Sequence, residues 1–261
     1  MADGGAPCAF CGGTRTLVET GVLDEKWSRR FGGAPAVALD HGWYRSAEGQ
    51  RVAADRLGSA KTFSPSVRAV CDYCVNGWIE DLRWRAEPTL LALAQGRELP
   101  PSPAADLGAV VRWTQLTAML AELVPGMPTA ATSSQRHEVH AGRPTSPATS
   151  TWVSRLAQRL PARVHLSQVS ASVHGDVPGD SMPEGIIQIV SLDVAQFSAL
   201  VVLPSDEHAR DVVDRSALAV ELGPPHEERG TAEVRQVDLA RTPHPHQIAV
   251  QRLCASRSAA H

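Results

Sequence analysis

Long hydrophobic runs and an excess of positive charge are both missing from this 261-residue chain. The longest apolar stretch, GIIQIVSLDVAQFSALVVL (185–203), is broken by Gln188, Asp193 and Gln196. A hydrocarbon core penalises such groups, so the stretch predicts two sheet strands rather than a membrane span. No basic segment leads into an apolar run near the N-terminus, and the sequence reads as a cytoplasmic protein with no membrane partner. A formal net charge of −3 argues against a uniformly basic nucleic-acid binder. No Gly-x-Gly-x-x-Gly follows a predicted strand and no Gly-x-Ser-x-Gly elbow occurs, so nucleotide cofactors and hydrolase triads lack support. Internal repeats are absent as well. Hydrophobic residues make up 43 % of the chain, enough to build a core in one large domain or two modest ones.

Cysteine is scarce too, five in all, yet four of the five stand in two Cys-x-x-Cys turns, Cys8/Cys11 and Cys71/Cys74. A reducing compartment favours metal binding over disulfides. One such turn holds two sulfurs close enough for one tetrahedral ion, and two turns complete a closed four-thiolate structural zinc site with no catalytic vacancy. Gly12 and Gly13 supply the permissive backbone that a zinc-knuckle turn needs. Zinc ribbons usually separate their pairs by about 15–20 residues, so residues 12–70 have to loop out as an insertion. The alternative is a redox-active dithiol or a set of unrelated thiols. Cys254 reads as an inert cysteine near a strand end.

Positive charge gathers in that insertion. Between residues 26 and 68, eight basic residues (Lys26, Arg29, Arg30, Arg45, Arg51, Arg56, Lys61, Arg68) face three acids (Asp40, Glu48, Asp55), a local net charge of +5. Arg29, Arg30, Arg45, Arg51, Arg56 and Lys61 are therefore the candidate contacts for DNA or RNA phosphates; the alternative is a solvated, Arg-rich loop.

Hydrophobic periodicity divides the chain into three parts: residues 1–123 with both cysteine pairs, a linker over 124–150, and a sheet domain over 151–261. After Cys74, Trp78, Ile79, Leu82 and Arg85 recur at helical spacing, Pro88 opens a second apolar segment ending at Gly96, and Asp106 caps a mostly buried helix. Residues 124–150 are rich in Pro, Ser, Thr, Gly and Ala without apolar period. Beyond them, TWVSRLAQRL reads as a short helix. RVHLSQVSASV, IIQIVSLDV, FSALVVL, AEVRQVDL and HQIAVQRL read as strands, and Ser205 caps a helix. The class is α+β, with a mostly antiparallel C-terminal sheet. HEVH (137–140) is not a zinc-protease string, because its histidines are three apart instead of four. His226 and the HPH string at 244–246 lie among prolines that mark turns.

The stretch FSPSVRAVCDYCVNGWIEDLRWRAEPTLLALAQG, followed by VVRWTQLTAML, resembles a group of bacterial and phage proteins related to HNH endonucleases. The residues that carry the resemblance are Cys8, Cys11, Gly12, Cys71, Cys74, Asn76, Gly77, Trp78, Glu80, Pro88, Gly96 and Trp113, and it covers about residues 6–123. It implies a treble-clef zinc finger, in which four thiolates hold a hairpin against a helix, and a role with nucleic acid. In active relatives a histidine soon after the first pair activates water, and a separate divalent ion stabilises charge on the scissile phosphate. Here the matching stretch is LVETGVLDEKW, with Glu19 and Trp27 but no histidine from residue 12 to 40. His41 is the one replacement the insertion offers, with Asp40 beside it. Asn76 has two readings, as the group that orients a metal or base and as the cap of the helix near Gly77.

The expectation is a degenerate HNH-like module that carries structural zinc and binds nucleic acid or a protein partner without efficient cleavage. One rival is an active nuclease using Mg²⁺ or Mn²⁺ with His41 or a histidine from the later domain. Another is a zinc-stabilised subunit of a larger assembly, with Trp27, Trp43 and Trp78 as interface anchors.

Overall fold

The computed structural model describes residues 6–23, 39–44, 51–56, 66–99, 106–125, 129–142, 149–157, 164–173, 185–215 and 235–237, together with Pro245 and Ala249. The chain opens in a tight turn. The Cys8 N–H donates to the Gly13 carbonyl (3.0 Å) and the Gly12 N–H to the Cys8 carbonyl (2.9 Å). Gly12 sits at φ +69°, in the left-handed region that disfavours side chains. Strand β1 (Leu17–Gly21) then leaves the turn.

The insertion does loop away, and part of it forms sheet. Strands β2 (Leu39–Tyr44) and β3 (Arg51–Arg56) pair antiparallel as a hairpin. Strand β4 (Ser66–Cys71) returns to pair antiparallel with β1, Leu17 opposite Cys71 and Gly21 opposite Ser66.

Cys71 ends β4 and the chain turns at once into helix: α1 (Asp72–Cys74), a π-helical turn over Val75–Ile79, and α2 (Glu80–Ala94). Gly77 alone departs from helical angles within the π turn (φ −104°, ψ −110°), which re-aims the helix that follows. Pro88 does not open a separate segment as the sequence suggests; it lies inside α2, followed by buried Thr89, Leu90 and Leu93. Proline leaves the carbonyl four residues earlier without its donor. That residue is Trp84, which is 76 % exposed. Helix α3 (Leu107–Ala121) starts as predicted, with an Asp106 carboxylate oxygen accepting the Ala109 N–H at 2.8 Å, and is buried along almost all its length.

Within the stretch whose composition reads as linker, the structure builds helix α4 (Ser133–Ala141). Its start is a capping box: the Thr132 hydroxyl accepts the Gln135 N–H (3.2 Å) and the Gln135 side-chain oxygen accepts the Thr132 N–H (2.7 Å). Buried Gln135, Arg136 and Val139 seat it against the body of the protein.

The C-terminal part is a seven-stranded sheet in the order β3-β2-β6-β7-β8-β5-β9. Its centre consists of β5 (Ser150–Leu156), β6 (Val164–Val173), β7 (Gly185–Val194) and β8 (Phe197–Pro204), paired antiparallel. Strand β9 (Arg235–Val237) adds parallel to β5, and β2 adds parallel to β6. The α+β class and the mostly antiparallel pairing are as predicted. TWVSRLAQRL is the exception: its first half is β5, not a helix. Trp152 and Val153 are buried on opposite faces of the sheet, and Thr151, Trp152 and Val153 suit a pleated strand. Ala249 is helical, against the strand expected over HQIAVQRL.

Helix α5 (Glu207–Arg215) packs on one face of the sheet with Ile187, Ile189, Leu200 and Val202. Its cap is Asp206, which accepts the Ala209 N–H at 2.8 Å, while the Ser205 hydroxyl accepts the Ile186 N–H instead. The opposite face, with Val190, Leu192, Val194, Ala199 and Val201, shares one core with α3, α2 and the cysteine turn, through to Phe10 and Cys8. Among the described residues no helix is long and apolar enough to cross a membrane.

Candidate metal centre and the adjoining pocket

The first Cys-x-x-Cys turn, the β1–β4 hairpin and the start of α1 meet at one point. There the sulfurs of Cys8, Cys11, Cys71 and Cys74 all lie within 4.8 Å of one another. Cys8 Sγ is 3.9 Å from Cys74 Sγ, and Cys11 Sγ is 3.7 Å from Cys71 Sγ. These contacts are far longer than a disulfide, about 2.05 Å. A tetrahedron with metal–sulfur bonds of about 2.3 Å has sulfur–sulfur edges of about 3.8 Å. The donor set therefore fits zinc in kind, number and spacing. Cys8, Cys71 and Cys74 are buried and Cys11 is half-buried, so the cluster is closed to bulk water on most sides.

Backbone N–H groups prepare the site for negative charge. The Cys71 N–H donates to Cys8 Sγ at 3.3 Å. Burial pushes the Cys8 thiol up, but hydrogen bonds from the backbone of Cys11, Cys71 and Phe10 outweigh it and bring it down to about 7. Burial pushes the thiols of Cys71 and Cys74 up. Among the described residues the Trp78 indole N–H makes no full hydrogen bond, but it lies near enough to Cys74 to favour its thiolate. Four thiolates this close repel one another, and a dication is the simplest counter-charge.

Beside the cluster an open pocket of about 540 Å³ is lined by Arg15, Asp72, Tyr73, Asn76, Gly77, Trp78, Asp81 and His140. An aromatic column backs it. Phe10 meets Trp78 edge-on (centroids 5.6 Å apart), Trp78 meets His140 edge-on (5.4 Å), and His140 lies 5.7 Å from His137. His137 Nδ1 is 3.4 Å from the Phe10 carbonyl, which ties α4 to the cysteine turn. Burial, reinforced by His137 and Arg112, holds His140 below its ordinary pKa, so its imidazole is neutral at physiological pH. Its Nδ1 is enclosed and has no hydrogen-bond partner among the described residues.

Of the residues singled out in the sequence, the structure brings Cys8, Cys11, Cys71 and Cys74 together and places Asn76 in the pocket at the same junction. His41 lies on β2 in the large sheet, opposite Asp55 of β3 and Gln168 of β6, on an element separate from Asn76. Arg51 begins β3 and Arg56 ends it. Arg29, Arg30, Arg45, Lys61 and Trp27 fall outside the described residues. Trp78 is half-buried in the aromatic column, not an exposed anchor. His140, Arg15 and Asp81 were missed. The signal for His140 was legible: Thr132-Ser-Ser-Gln135 is a capping-box string, and it makes HEVH one turn of a helix. No protein-family model, curated protein or solved structure matches the chain.

Proposed function

We propose that this chain is a zinc-built, HNH-like binding module that holds nucleic acid against its basic 26–68 segment and does not cleave it efficiently. The observation that carries this reading is the four-sulfur cluster at the meeting point of knuckle, hairpin and helix. Asn76, two residues beyond Cys74, stands where the resemblance to HNH endonucleases calls for it. The missing histidine between residues 12 and 40 argues against catalysis.

Two measurements test this. Mass spectrometry of the purified protein is expected to find one zinc per chain. A gel shift with DNA and RNA is expected to weaken with salt and with Arg29, Arg30 and Arg51 neutralised. Zinc without any shift would leave a structural subunit of a larger assembly as the better reading.

A second reading has its own observation behind it: Asn76 and His140 line the same pocket. A neutral imidazole in that pocket offers an unprotonated ring nitrogen, the form a general base needs. Plasmid nicking in Mg²⁺ or Mn²⁺ that His140→Ala abolishes and His41→Ala leaves intact would establish this reading in place of the first.

A further inference from the structure

We propose that the pocket at Asn76 is a receptor for a cationic side chain, the guanidinium of an arginine presented by a protein partner. Its fixed charges set the sign of the ligand. Asp72 and Asp81 contribute two carboxylates and Arg15 one guanidinium, so a phosphate or carboxylate entering the pocket meets like charge. The Arg15 charge is already committed, because its guanidinium carbon lies 4.6 Å from the centroid of the Tyr73 ring. That contact is an internal stand-in for the ligand: it shows that the exposed Tyr73 face accepts a planar cation in this setting.

The remaining groups match the needs of a guanidinium. Asp81 and Asn76 are exposed and, among the described residues, have no hydrogen-bond or ion-pair partner, so an acceptor pair stands open at the rim. Trp78 supplies an aromatic wall, and its edge contacts with Phe10 and His140 hold that wall in place. A planar, five-donor cation uses a carboxylate, an amide oxygen and a ring face together. An ammonium lacks the planar fork. A bare metal ion is a poorer occupant, because among the described residues three charged or imidazole ligands do not converge here. The site is independent of the basic segment, so its failure and that of the nucleic-acid reading are separable.

The test titrates the full-length zinc-loaded protein with N-acetyl-arginine amide, following tryptophan fluorescence and heat. Saturable binding in roughly the millimolar range is expected, as befits one side chain in an open site. The neutral isostere N-acetyl-citrulline amide is expected to bind at least about tenfold more weakly, and Asp81→Asn to cost about five- to tenfold. Arg15→Ala is expected to tighten binding, since it frees the Tyr73 face. Asp81 and Arg15 are exposed, and unchanged zinc content would confirm that both variants fold. Absence of saturable binding, equal affinity for the citrulline compound, insensitivity to Asp81→Asn, or inorganic phosphate binding in place of the cation would each overturn the proposal.

Discussion

Gly96 shows how much one backbone angle settles. It terminates α2 at φ +66°, and a Cβ there would strike the side-chain amide of Gln196, whose nitrogen donates to the Leu156 carbonyl at 3.1 Å. Gly96→Ala therefore combines left-handed strain of about 1–2 kcal/mol with a displaced hydrogen bond worth about 1 kcal/mol. Urea denaturation is expected to show a loss of about 2–3 kcal/mol. Cys74→Ala is a harsher change. It removes a fully buried sulfur from the cluster, and the expected result is a protein without stoichiometric zinc and a marked fall in thermal midpoint, whereas Cys254→Ser keeps its zinc. At this scale the cysteines were legible because a two-residue spacer fixes how near two sulfurs can come. His140 was not, because its place beside Asn76 depends on the packing of α4 against Trp78, a contact between residues distant in sequence.

Among the elements, α4 owes its position to a buried acid. The Glu122 carboxylate accepts the N–H groups of Ala130 and Ala131 and pairs with Arg136 at 3.3 Å. Burial pushes its carboxyl up to about 7, despite the lowering influence of those N–H groups and the Arg136 charge. Between the ordinary value of 4.5 and that level, the folded protein keeps a proton that the unfolded chain releases. This group's contribution to stability is therefore greatest below pH 4.5 and is lost as pH rises toward about 7, at up to about 1.4 kcal/mol per pH unit, and is level above that. Urea midpoints measured from pH 5 to 8 are expected to show the wild-type advantage over Glu122→Gln shrinking as pH rises. A constant difference would place the carboxyl in its ordinary range. Sequence pattern gave α3 and its Asp106 cap correctly because apolar period and cap coincide there. It failed at β5, where Leu156 and Trp152 satisfy a helical period as readily as a strand, and only pairing with β8 decides.

For the molecule as a whole, the cysteine turn and the sheet belong to one body of packed side chains: Cys8 and Phe10 share a core with Val190 and Val201. Removing the metal with a chelator is expected to lower a single cooperative unfolding transition, seen alike by tryptophan fluorescence and far-ultraviolet circular dichroism. Two separated transitions would mean that the cluster and the sheet unfold independently. The composition of residues 124–150 hid this connection, because glycine, serine and proline counts carry no record of Val139 and Gln135 being buried.

The parallel pairing of β2 with β6 carries one more consequence, in the order of events during synthesis. Residues 39–44 leave the ribosome long before residues 164–173 exist. Until then β2 has β3 as a neighbour on one side and an unsatisfied row of amides and carbonyls on the other. The newborn chain thus carries an adhesive border while residues 57–163 are made, and its safe folding rests on how quickly the ribosome reaches the strand that covers it.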